Sequence, residues 1–198
     1  MSEDLSNGYE AVAEDFIRVR SQVTGLATVQ NWMAHLPKGG TVLDVGAGSG
    51  EPLTAALIDG GFNVCAIDAS PKMVAAFSHR FPDIEIACEA VEDSSFFNRS
   101  FDGVLAVGLI FLLPAEKQGP LISHMASVLK PGGRMLFSAP RQIGGWEDVL
   151  TGQPSYSLGE RAYKDIAASA GLDIIGEHVD EGESHYYCLL YTSPSPRD

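Results

Sequence analysis

The sequence predicts an α/β fold in which a mostly parallel sheet carries helices on both faces. Short apolar runs, as expected for strands buried on both sides, alternate along the chain with segments of helical periodicity. Turns rich in glycine or proline separate the two kinds of segment. With 198 residues, 45% of them hydrophobic and 20% charged, the chain is expected to form one soluble domain with a substantial core.

The composition restricts the compartment and the partners. A net charge of −13 and an isoelectric point near 4.6 oppose nonspecific binding to nucleic acid or to an anionic membrane. No apolar run approaches the roughly 18 residues that span a bilayer, and the N-terminus lacks the regions of a signal peptide. Cys65, Cys88 and Cys188 show no C-x-x-C spacing, so neither a disulfide framework nor a metal site is expected. These features predict a cytoplasmic protein.

Two helices are predicted before the first strand, at Tyr9–Arg20 and Thr24–Leu36, because apolar residues recur there at helical spacing. They would form an N-terminal helical cap over residues 1–38. Packing on the sheet explains the apolar stripes. A second interpretation is that the aromatic and basic side chains of this cap also contact a substrate.

The segment 42–50, VLDVGAGSG, is a buried strand that runs into a turn with three alternating glycines. Because these positions lack side chains, the backbone can bend sharply and a ligand can lie against bare amides. Pro52 suits the first turn of a helix that ends at Gly60. Strand, glycine turn and helix together predict a nucleotide-binding site.

The spacing of the glycines separates two kinds of nucleotide site. The dinucleotide fingerprint G-x-G-x-x-G would require glycine at the position of Glu51, so a nicotinamide oxidoreductase is disfavoured. The spacing present, D-x-G-x-G-x-G from Asp44 to Gly50, closely resembles motif I of the class I S-adenosylmethionine-dependent methyltransferases.

A second strand, Asn63–Ile67, ends in Asp68, and Ser70 with Pro71 then opens a helix that runs to about Phe81. An acidic residue 24 positions beyond Asp44, at the end of the second strand, is placed to accept the hydroxyl groups of an unphosphorylated ribose. The alternative is a surface aspartate that begins a turn.

Two further segments resemble the same family. After a third strand, Ile84–Cys88, the stretch that leads into Phe101-Asp102 is similar to the adenine-binding D-A-E-D-L-P-F segment, although the family aspartate falls on Ala90. The resemblance therefore implies adenine contacts from Val91 and Glu92, with Glu89 as a substitute. The fourth strand is predicted at 101–107. The turn 129–134, LKPGGR, precedes a fifth strand, 135–139, as in the family.

Several branches of the family are excluded. The chain has no [DNS]-P-P-[YFW] after Val107, no Pro-Cys nucleophile and no aspartate there for Mg²⁺, so DNA-methylating and metal-dependent relatives are disfavoured. Many relatives carry histidine at the position where this chain has Phe111. This loop therefore offers no histidine base here.

The last third of the chain is expected to face the substrate. Pro140–Trp146 is predicted as a polar loop, and Ser157 with Glu160 as a capping box that starts a helix ending at Gly171. Two strands follow, at 172–179 and 184–191, joined by a hairpin turn of solvated acids at 180–183. The end of the chain, Cys188–Asp198, resembles a translated sequencing adapter.

The resemblance implies a single Rossmann-like methyltransferase domain at 39–191, with a seven-stranded, mostly parallel sheet, followed by a non-native-looking tail at 192–198 or from 188. It implies S-adenosylmethionine as cofactor, S-adenosylhomocysteine as product and no metal. The expected cofactor contacts are Asp44, Gly46, Ala47, Gly48, Gly50, Asp68, Ala69, Met73, Val91, Glu92 and Val107. The expected substrate contacts are Tyr9, Phe16, Arg20, Phe111, Trp146 and Tyr186, with His185 and Arg141 as catalytic candidates.

The implied activity is methyl transfer to an oxygen, nitrogen or sulfur nucleophile of a small molecule by a monomer or homodimer. Two alternatives stay open, a protein or peptide methyltransferase and a non-catalytic module that only binds S-adenosylmethionine. A closed pocket beneath the N-terminal helices would favour the enzyme, and an open shallow surface would favour the module.

Overall fold

The structure is a computed structural model, and it describes residues 3–192. Residues 193–198, most of the predicted tail, lie outside this range. The helices are α1 (Tyr9–Val19), α2 (Leu26–Met33), α3 (Leu53–Asp59), α4 (Pro71–Arg80), α5 (Ala115–Ser127) and α6 (Glu160–Ser169). The strands are β1 (Thr41–Val45), β2 (Asn63–Asp68), β3 (Glu85–Cys88), β4 (Phe101–Ala106), β5 (Leu129–Ser138), β6 (Gly144–Glu147), β7 (Pro154–Ser157), β8 (Leu172–Val179) and β9 (His185–Tyr191).

Seven strands form one sheet in the order β3-β2-β1-β4-β5-β9-β8, and β6 pairs with β7 in a separate hairpin. Strand β9 is antiparallel to β5 and β8, whereas the other pairs of the main sheet are parallel. The predicted seven-stranded, mostly parallel sheet is therefore confirmed. Because β1 lies between β2 and β4, the strand order reverses there, and ligands of such sheets bind outside the carboxyl ends at this point.

The central strands bury both faces against helices. Leu43 of β1 lies in a cluster that includes residues of α5 and α6, whereas Val42 packs in a second cluster with Trp32 of α2 and Leu57 of α3. Gly103 in β4 allows Trp32 of α2 to pack closely on this face of the sheet, since a Cβ at this position would lie 2.9 Å from the Trp32 ring. Burial on both faces is the reason that these strands are continuous apolar runs in the sequence.

Local signals located some boundaries well and others poorly. As predicted, Ser70 caps α4, and its Oγ accepts a hydrogen bond from the Met73 amide at 3.2 Å. The second helix ends at Met33, three residues before the predicted end at Leu36. Strand β5 begins at Leu129 instead of Met135, because Leu129 already pairs with Phe101 of β4.

Two predictions in the region after β5 are wrong. The predicted capping box does not form, because Ser157 Oγ donates to Pro140 O and accepts from the amide of Gly159, while the Glu160 amide donates to Arg141 O. The predicted loop contains a strand, since Gly144–Glu147 pairs with β7. Both differences arise from contacts between distant segments, which outweigh the local preference of a Ser-x-x-Glu or Gly-Gly sequence.

The hairpin between β8 and β9 is also more than a turn of solvated acids. Asp180 is only 8% exposed and accepts hydrogen bonds from the amides of Gly182 and Ser184 and from the Tyr186 hydroxyl. A buried carboxylate is tolerated where several donors surround it. Within the described residues, no helix combines the length and the apolar composition needed to cross a bilayer.

Candidate functional site

A cavity of about 990 Å³ lies where the segments that follow β1, β2, β4 and β5 meet, beneath residues of α1. Its volume is in the range of small-molecule sites. Of the predicted cofactor contacts, it is lined by Gly46, Gly48, Asp68, Ala69, Met73, Val91, Glu92 and Val107. Of the predicted acceptor contacts and catalytic candidates, it is lined by Tyr9, Phe16, Arg20, Phe111, Arg141, His185 and Tyr186.

The glycine turn is held by the neighbouring strand and leaves open backbone towards the cavity. The amides of Gly46 and Ala47 both donate to Ile67 O of β2, at 2.8 and 3.0 Å. Gly48 has a φ of +60°, and a Cβ there would meet nothing closer than Phe16 Cε1 at 4.0 Å. A ligand can therefore approach this backbone directly.

Gly50 has a different place from the one predicted. It lines neither this cavity nor the smaller one described below. A Cβ at Gly50 would lie 2.6 Å from Phe81 Cε2 and 2.9 Å from Phe77 Cδ2, on α4 and at its end. The third glycine thus permits packing of the turn on α4, whereas the first two face the cavity.

Asp68 lies at the end of β2 and accepts two backbone hydrogen bonds, from Gly48 to Oδ2 at 2.8 Å and from Ser70 to Oδ1 at 2.9 Å. Burial raises its pKa, and these two amides act in the opposite direction. A carboxylate has about four lone-pair sites, so both oxygens retain capacity for hydroxyl donors from a ligand.

Asp44 is more deeply buried and has fewer partners. It is 4% exposed, and Thr54 Oγ1 donates to its Oδ2 at 2.6 Å. Desolvation by burial raises the pKa of Asp44 to about 6. With Ala47 it lines a second cavity of about 60 Å³, which shares Gly46, Gly48 and Val107 with the large one.

The segment after β3 forms one wall of the large cavity. Val91 is buried and Glu92 is exposed, and both line the cavity together with Met73 of α4. Glu89, the substitute for the missing family aspartate, accepts a hydrogen bond from Ser94 Oγ at 2.5 Å and is absent from the lining. The structure therefore favours Val91 and Glu92 over Glu89 on this wall.

Aromatic side chains from distant parts of the chain enclose the other side. Tyr9 and Phe16 of α1 pack edge to face with ring centroids 5.4 Å apart. The Tyr9 hydroxyl donates to Asp148 Oδ2 at 2.9 Å, which connects α1 to the turn after β6. Trp146 does not line the cavity, and instead its ring packs on that of Phe111 at 5.6 Å.

The two catalytic candidates differ in their freedom to act on a ligand. Arg141 is exposed, and its Nε and Nη2 both donate to Glu160 Oε2, at 2.9 and 2.7 Å. His185 is buried, and its Nε2 lies 3.0 Å from Glu177 Oε1. The guanidinium is thus already paired with a carboxylate, whereas the imidazole retains a second nitrogen without a partner.

The cavity is strongly acidic. The carboxylates in its lining are Glu3, Asp4, Asp68, Glu92, Asp148, Asp180 and Glu183. The arginine side chains in the lining are those of Arg20 and Arg141. Asp148, Asp180 and Glu183 were not predicted as site residues, because neither the hairpin after β5 nor the β8–β9 turn carries a local signal for its position over the sheet edge.

The residues present fit a nucleoside-bearing ligand without phosphate. Open glycine backbone and a carboxylate at the end of β2 are the groups that approach a ribose, and the seven carboxylates of the lining would repel a phosphate. Among residues 3–192, histidine, cysteine, aspartate and glutamate nowhere gather as a group of three that could hold a metal ion.

Known proteins resemble this chain in sequence and in structure. The family model of a methyltransferase domain matches residues 42–133. An uncharacterised methyltransferase of Synechocystis is 36% identical over 158 residues, which cover 74% of this chain and 73% of that protein. The 2-methyl-6-phytyl-1,4-hydroquinone methyltransferase of Synechocystis is 35% identical over 136 residues, which cover 66% of this chain. The chain spans 42% of the length of that enzyme and of a second curated relative.

Solved structures share the fold. The crystal structure of magnesium protoporphyrin IX methyltransferase from Synechocystis, with bound S-adenosylmethionine, aligns with a TM-score of 0.76 at 19% identity. The alignment covers 97% of this chain and 99% of that one. The arrangement of strands and helices is therefore shared over the aligned part of the two chains.

Proposed function

Because this chain belongs to the methyltransferase domain family, we propose that it binds S-adenosylmethionine and transfers the activated methyl group to a small molecule. The acceptor atom is an oxygen, a nitrogen or a sulfur. One observation carries the proposal. A single cavity of about 990 Å³ joins the open glycine turn and Asp68 to the aromatic residues of α1. That volume accommodates an adenosyl group together with a small acceptor.

The chain offers a separate group for each part of the cofactor. Asp68 binds the ribose hydroxyls, and the backbone of Gly46 and Gly48 allows close approach. Val91 and Glu92 contact the adenine, and Asp44 balances the ammonium charge. The bound cofactor supplies a methyl group on a positively charged sulfur. The protein holds the acceptor close to this methyl group and in line with it, which can account for most of the rate enhancement.

The shape and charge of the cavity support a small-molecule enzyme. Tyr9 and Phe16 of α1 line the cavity, which supports an enzyme pocket over a shallow surface that only binds cofactor. The acidic lining favours neutral or cationic acceptors over anionic ones. Two similar proteins are named for small-molecule acceptors, a hydroquinone and a magnesium porphyrin.

Further parts of the proposal rest on chemistry alone. His185 is the candidate that contacts the acceptor. Arg141 is the second catalytic candidate, and its guanidinium is held in the lining by its pair with Glu160. Three free cysteines fit a cytoplasmic location, where thiols stay reduced. The charge of −13 opposes binding to nucleic acid. We expect a monomer or a homodimer, which light scattering measures directly.

Calorimetry with S-adenosylmethionine, S-adenosylhomocysteine and NADH tests the cofactor. We expect binding of the first two and none of NADH, with a loss of about tenfold to 100-fold in affinity for Asp68→Ala. Asp83→Ala, at an exposed turn before β3, is the matched control. Affinity for NADH, or no binding of S-adenosylmethionine by folded protein, would contradict the proposal.

A screen of phenols, amines, thiols and carboxylates for release of S-adenosylhomocysteine then tests catalysis. Turnover of a small acceptor supports the enzyme. Methylation of peptides alone would support the peptide methyltransferase, and binding without any turnover would support the non-catalytic module.

A further inference from the structure

His185 lines the cavity and has one ring nitrogen without a partner. The residue is 9% exposed, and its Nδ1 makes no hydrogen bond. Buried polar atoms in folded proteins are nearly always paired, so an unpaired one requires an explanation. Within residues 3–192, two residues of the large cavity's lining have a buried side-chain nitrogen without a partner, His185 at Nδ1 and Asn7 at its amide Nδ2, and only the imidazole nitrogen can act as an acceptor. A ligand that fills the cavity is the available partner.

The opposite side of the imidazole is held by charged residues. Glu177 Oε1 lies 3.0 Å from His185 Nε2, and Glu177 Oε2 lies 3.0 Å from Lys164 Nζ. Lys164 also pairs with Glu160, which binds Arg141. Burial raises the pKa of Glu177, and the hydrogen bonds from Lys164 and His185 outweigh that effect and lower it. Glu177 is therefore a carboxylate that accepts Nε2–H and leaves the Nδ1 lone pair free.

We propose that His185 is the base of methyl transfer, that Glu177 is its positioning residue, and that the acceptor carries an O–H or N–H on the atom that is methylated. This inference rests on the proposed function and deepens it, because it narrows the acceptor to a class. Phenols, enols and amines belong to that class. Acceptors that are already ionised do not need the base.

The transfer balances with groups that the proposal names. The acceptor donates its O–H or N–H hydrogen bond to Nδ1, and this proton passes to His185 as the acceptor electron pair forms the new bond to the methyl carbon. The electron pair of the broken carbon–sulfur bond stays on sulfur, which becomes neutral. The imidazolium that forms is stabilised by the Glu177 carboxylate, and it releases its proton to water after the product leaves.

Other groups in the lining are less suited to this role. Asp148 accepts from the Tyr9 hydroxyl and from two backbone amides. Asp180 accepts from two amides and from the Tyr186 hydroxyl. Burial and the Asp180 carboxylate raise the pKa of Tyr186, which opposes its ionisation. Unlike these three side chains, His185 has both an orienting partner, Glu177, and a ring nitrogen without a partner.

Nitrogen-15 NMR of histidine side chains tests the geometry without turnover. In the S-adenosylhomocysteine complex at about pH 8, we expect the His185 proton on Nε2 and a bare Nδ1. Added phenol, the probe for the acceptor, should shift the Nδ1 signal more than the Nε2 signal. Glu177→Ala should weaken the response to phenol, whereas the exposed hairpin control Glu181→Ala should not. A proton on Nδ1, or an Nδ1 signal that phenol leaves unchanged, would overturn the proposal.

A pair of acceptors tests the chemistry. Phenol needs a base at about pH 8, whereas thiophenol is ionised without one. For His185→Asn we expect a loss of about 100-fold or more in kcat with phenol and little change with thiophenol. The control is His178→Asn, an exposed histidine on β8. Equal losses with both acceptors would mean that His185 is structural, and an unchanged rate with phenol would also overturn the proposal.

Calorimetry separates this inference from the proposed function. If S-adenosylmethionine binds and the His185 tautomer is reversed, only the base and its positioning residue are wrong. If S-adenosylmethionine fails to bind to the folded protein, the proposed function itself is wrong.

Discussion

Asp44 and Asp68 end adjacent strands, and their surroundings prepare them for different ligands. Asp68 has two backbone donors, which offset part of the desolvation that raises its pKa. Asp44 has one hydroxyl donor and is almost fully buried. Because desolvation penalises the charged form, Asp44 is the residue of the two that gains more from a cationic ligand.

The first prediction compares two glycines with positive φ. Gly48 faces the cavity, whereas Gly61 lies in a turn with no atom within 4 Å of a built Cβ. Alanine at either position adds a left-handed strain of about 1–2 kcal/mol. We therefore expect Gly48→Ala and Gly61→Ala to lower the free energy of unfolding by similar amounts. Only Gly48→Ala should weaken S-adenosylmethionine binding in calorimetry, and equal affinities of the two variants would show that the turn does not contact the cofactor.

The second prediction concerns the pH dependence of Asp44. Its pKa is about 6 in the folded state and 3.8 in the reference state. The folded protein therefore binds the proton more tightly, and stability falls as the pH rises from about 4 to about 6. Above that window the penalty is about 3 kcal/mol.

Replacement of Asp44 by asparagine tests this. Asp44→Asn keeps an acceptor for Thr54 and removes the charge, so we expect a gain in the free energy of unfolding of up to about 3 kcal/mol at about pH 7 and little gain near pH 4. Urea titrations of the ligand-free protein measure both. The same variant should bind S-adenosylmethionine more weakly, and a gain that is equal at both pH values would contradict the assigned pKa.

At the scale of elements, helix α1 is attached to the domain by polar contacts at both sides of the cavity. Glu10 Oε2 accepts from Ser70 Oγ at 2.5 Å and from the Lys72 amide at 3.0 Å, at the N-terminus of α4. The Tyr9 hydroxyl binds Asp148 on the far side. The carboxylate of Glu10 is favourably placed because a helix N-terminus carries partial positive charge.

The third prediction tests this attachment. Glu10→Gln removes the charge at the N-terminus of α4, and we expect a loss of about 1 kcal/mol in the contact, with faster hydrogen exchange in α1. Glu14→Gln, on the exposed side of the same helix, is the matched control. S-adenosylhomocysteine should dissociate faster from Glu10→Gln alone if α1 covers the cofactor. Unchanged exchange in α1 would show that aromatic packing holds the helix by itself.

At the scale of the whole molecule, the sign of the cavity matches the sign of the chain. Seven carboxylates and two guanidinium groups line the cavity in a protein with a net charge of −13. An anionic acceptor must enter against this field. In 0.1 M salt, such repulsion between exposed charges is largely screened at separations beyond about 10 Å.

The fourth prediction follows from this field. Of two acceptors that differ only by a carboxylate, such as tyramine and tyrosine, the one without the carboxylate should have the lower KM. The difference should narrow as salt is raised from about 0.05 to about 0.5 M. The assay is release of S-adenosylhomocysteine under each condition. A preference for the carboxylate-bearing acceptor that grows at low salt would mean that Arg20 or Arg141 dominates the entrance.

Sequence alone located the parts of the site that lie on one continuous segment. The strand, glycine turn and helix around Gly48 follow from local preferences. A continuous apolar run is typical of a buried parallel strand, and closely spaced glycines are typical of a sharp turn. Asp68 could be placed by its distance from Asp44, since adjacent parallel strands end at the same edge. The role of Gly50 could not be predicted, because its neighbours Phe77 and Phe81 lie on α4 and at its end.

The tertiary structure decided which side chains from the last third of the chain line the cavity. Asp148 and Asp180 line the cavity, and Glu177 meets His185, through the strand registers of two hairpins, β6–β7 and β8–β9. The fold class and the position of the glycine turn at the edge of the sheet were determined by the sequence itself, because they depend on periodicity and on backbone freedom at single glycines. The charge of the cavity depended on how separate elements pack together, and the partner of His185 depended on the register of the β8–β9 hairpin, because no local preference specifies which side chain of one strand meets that of another.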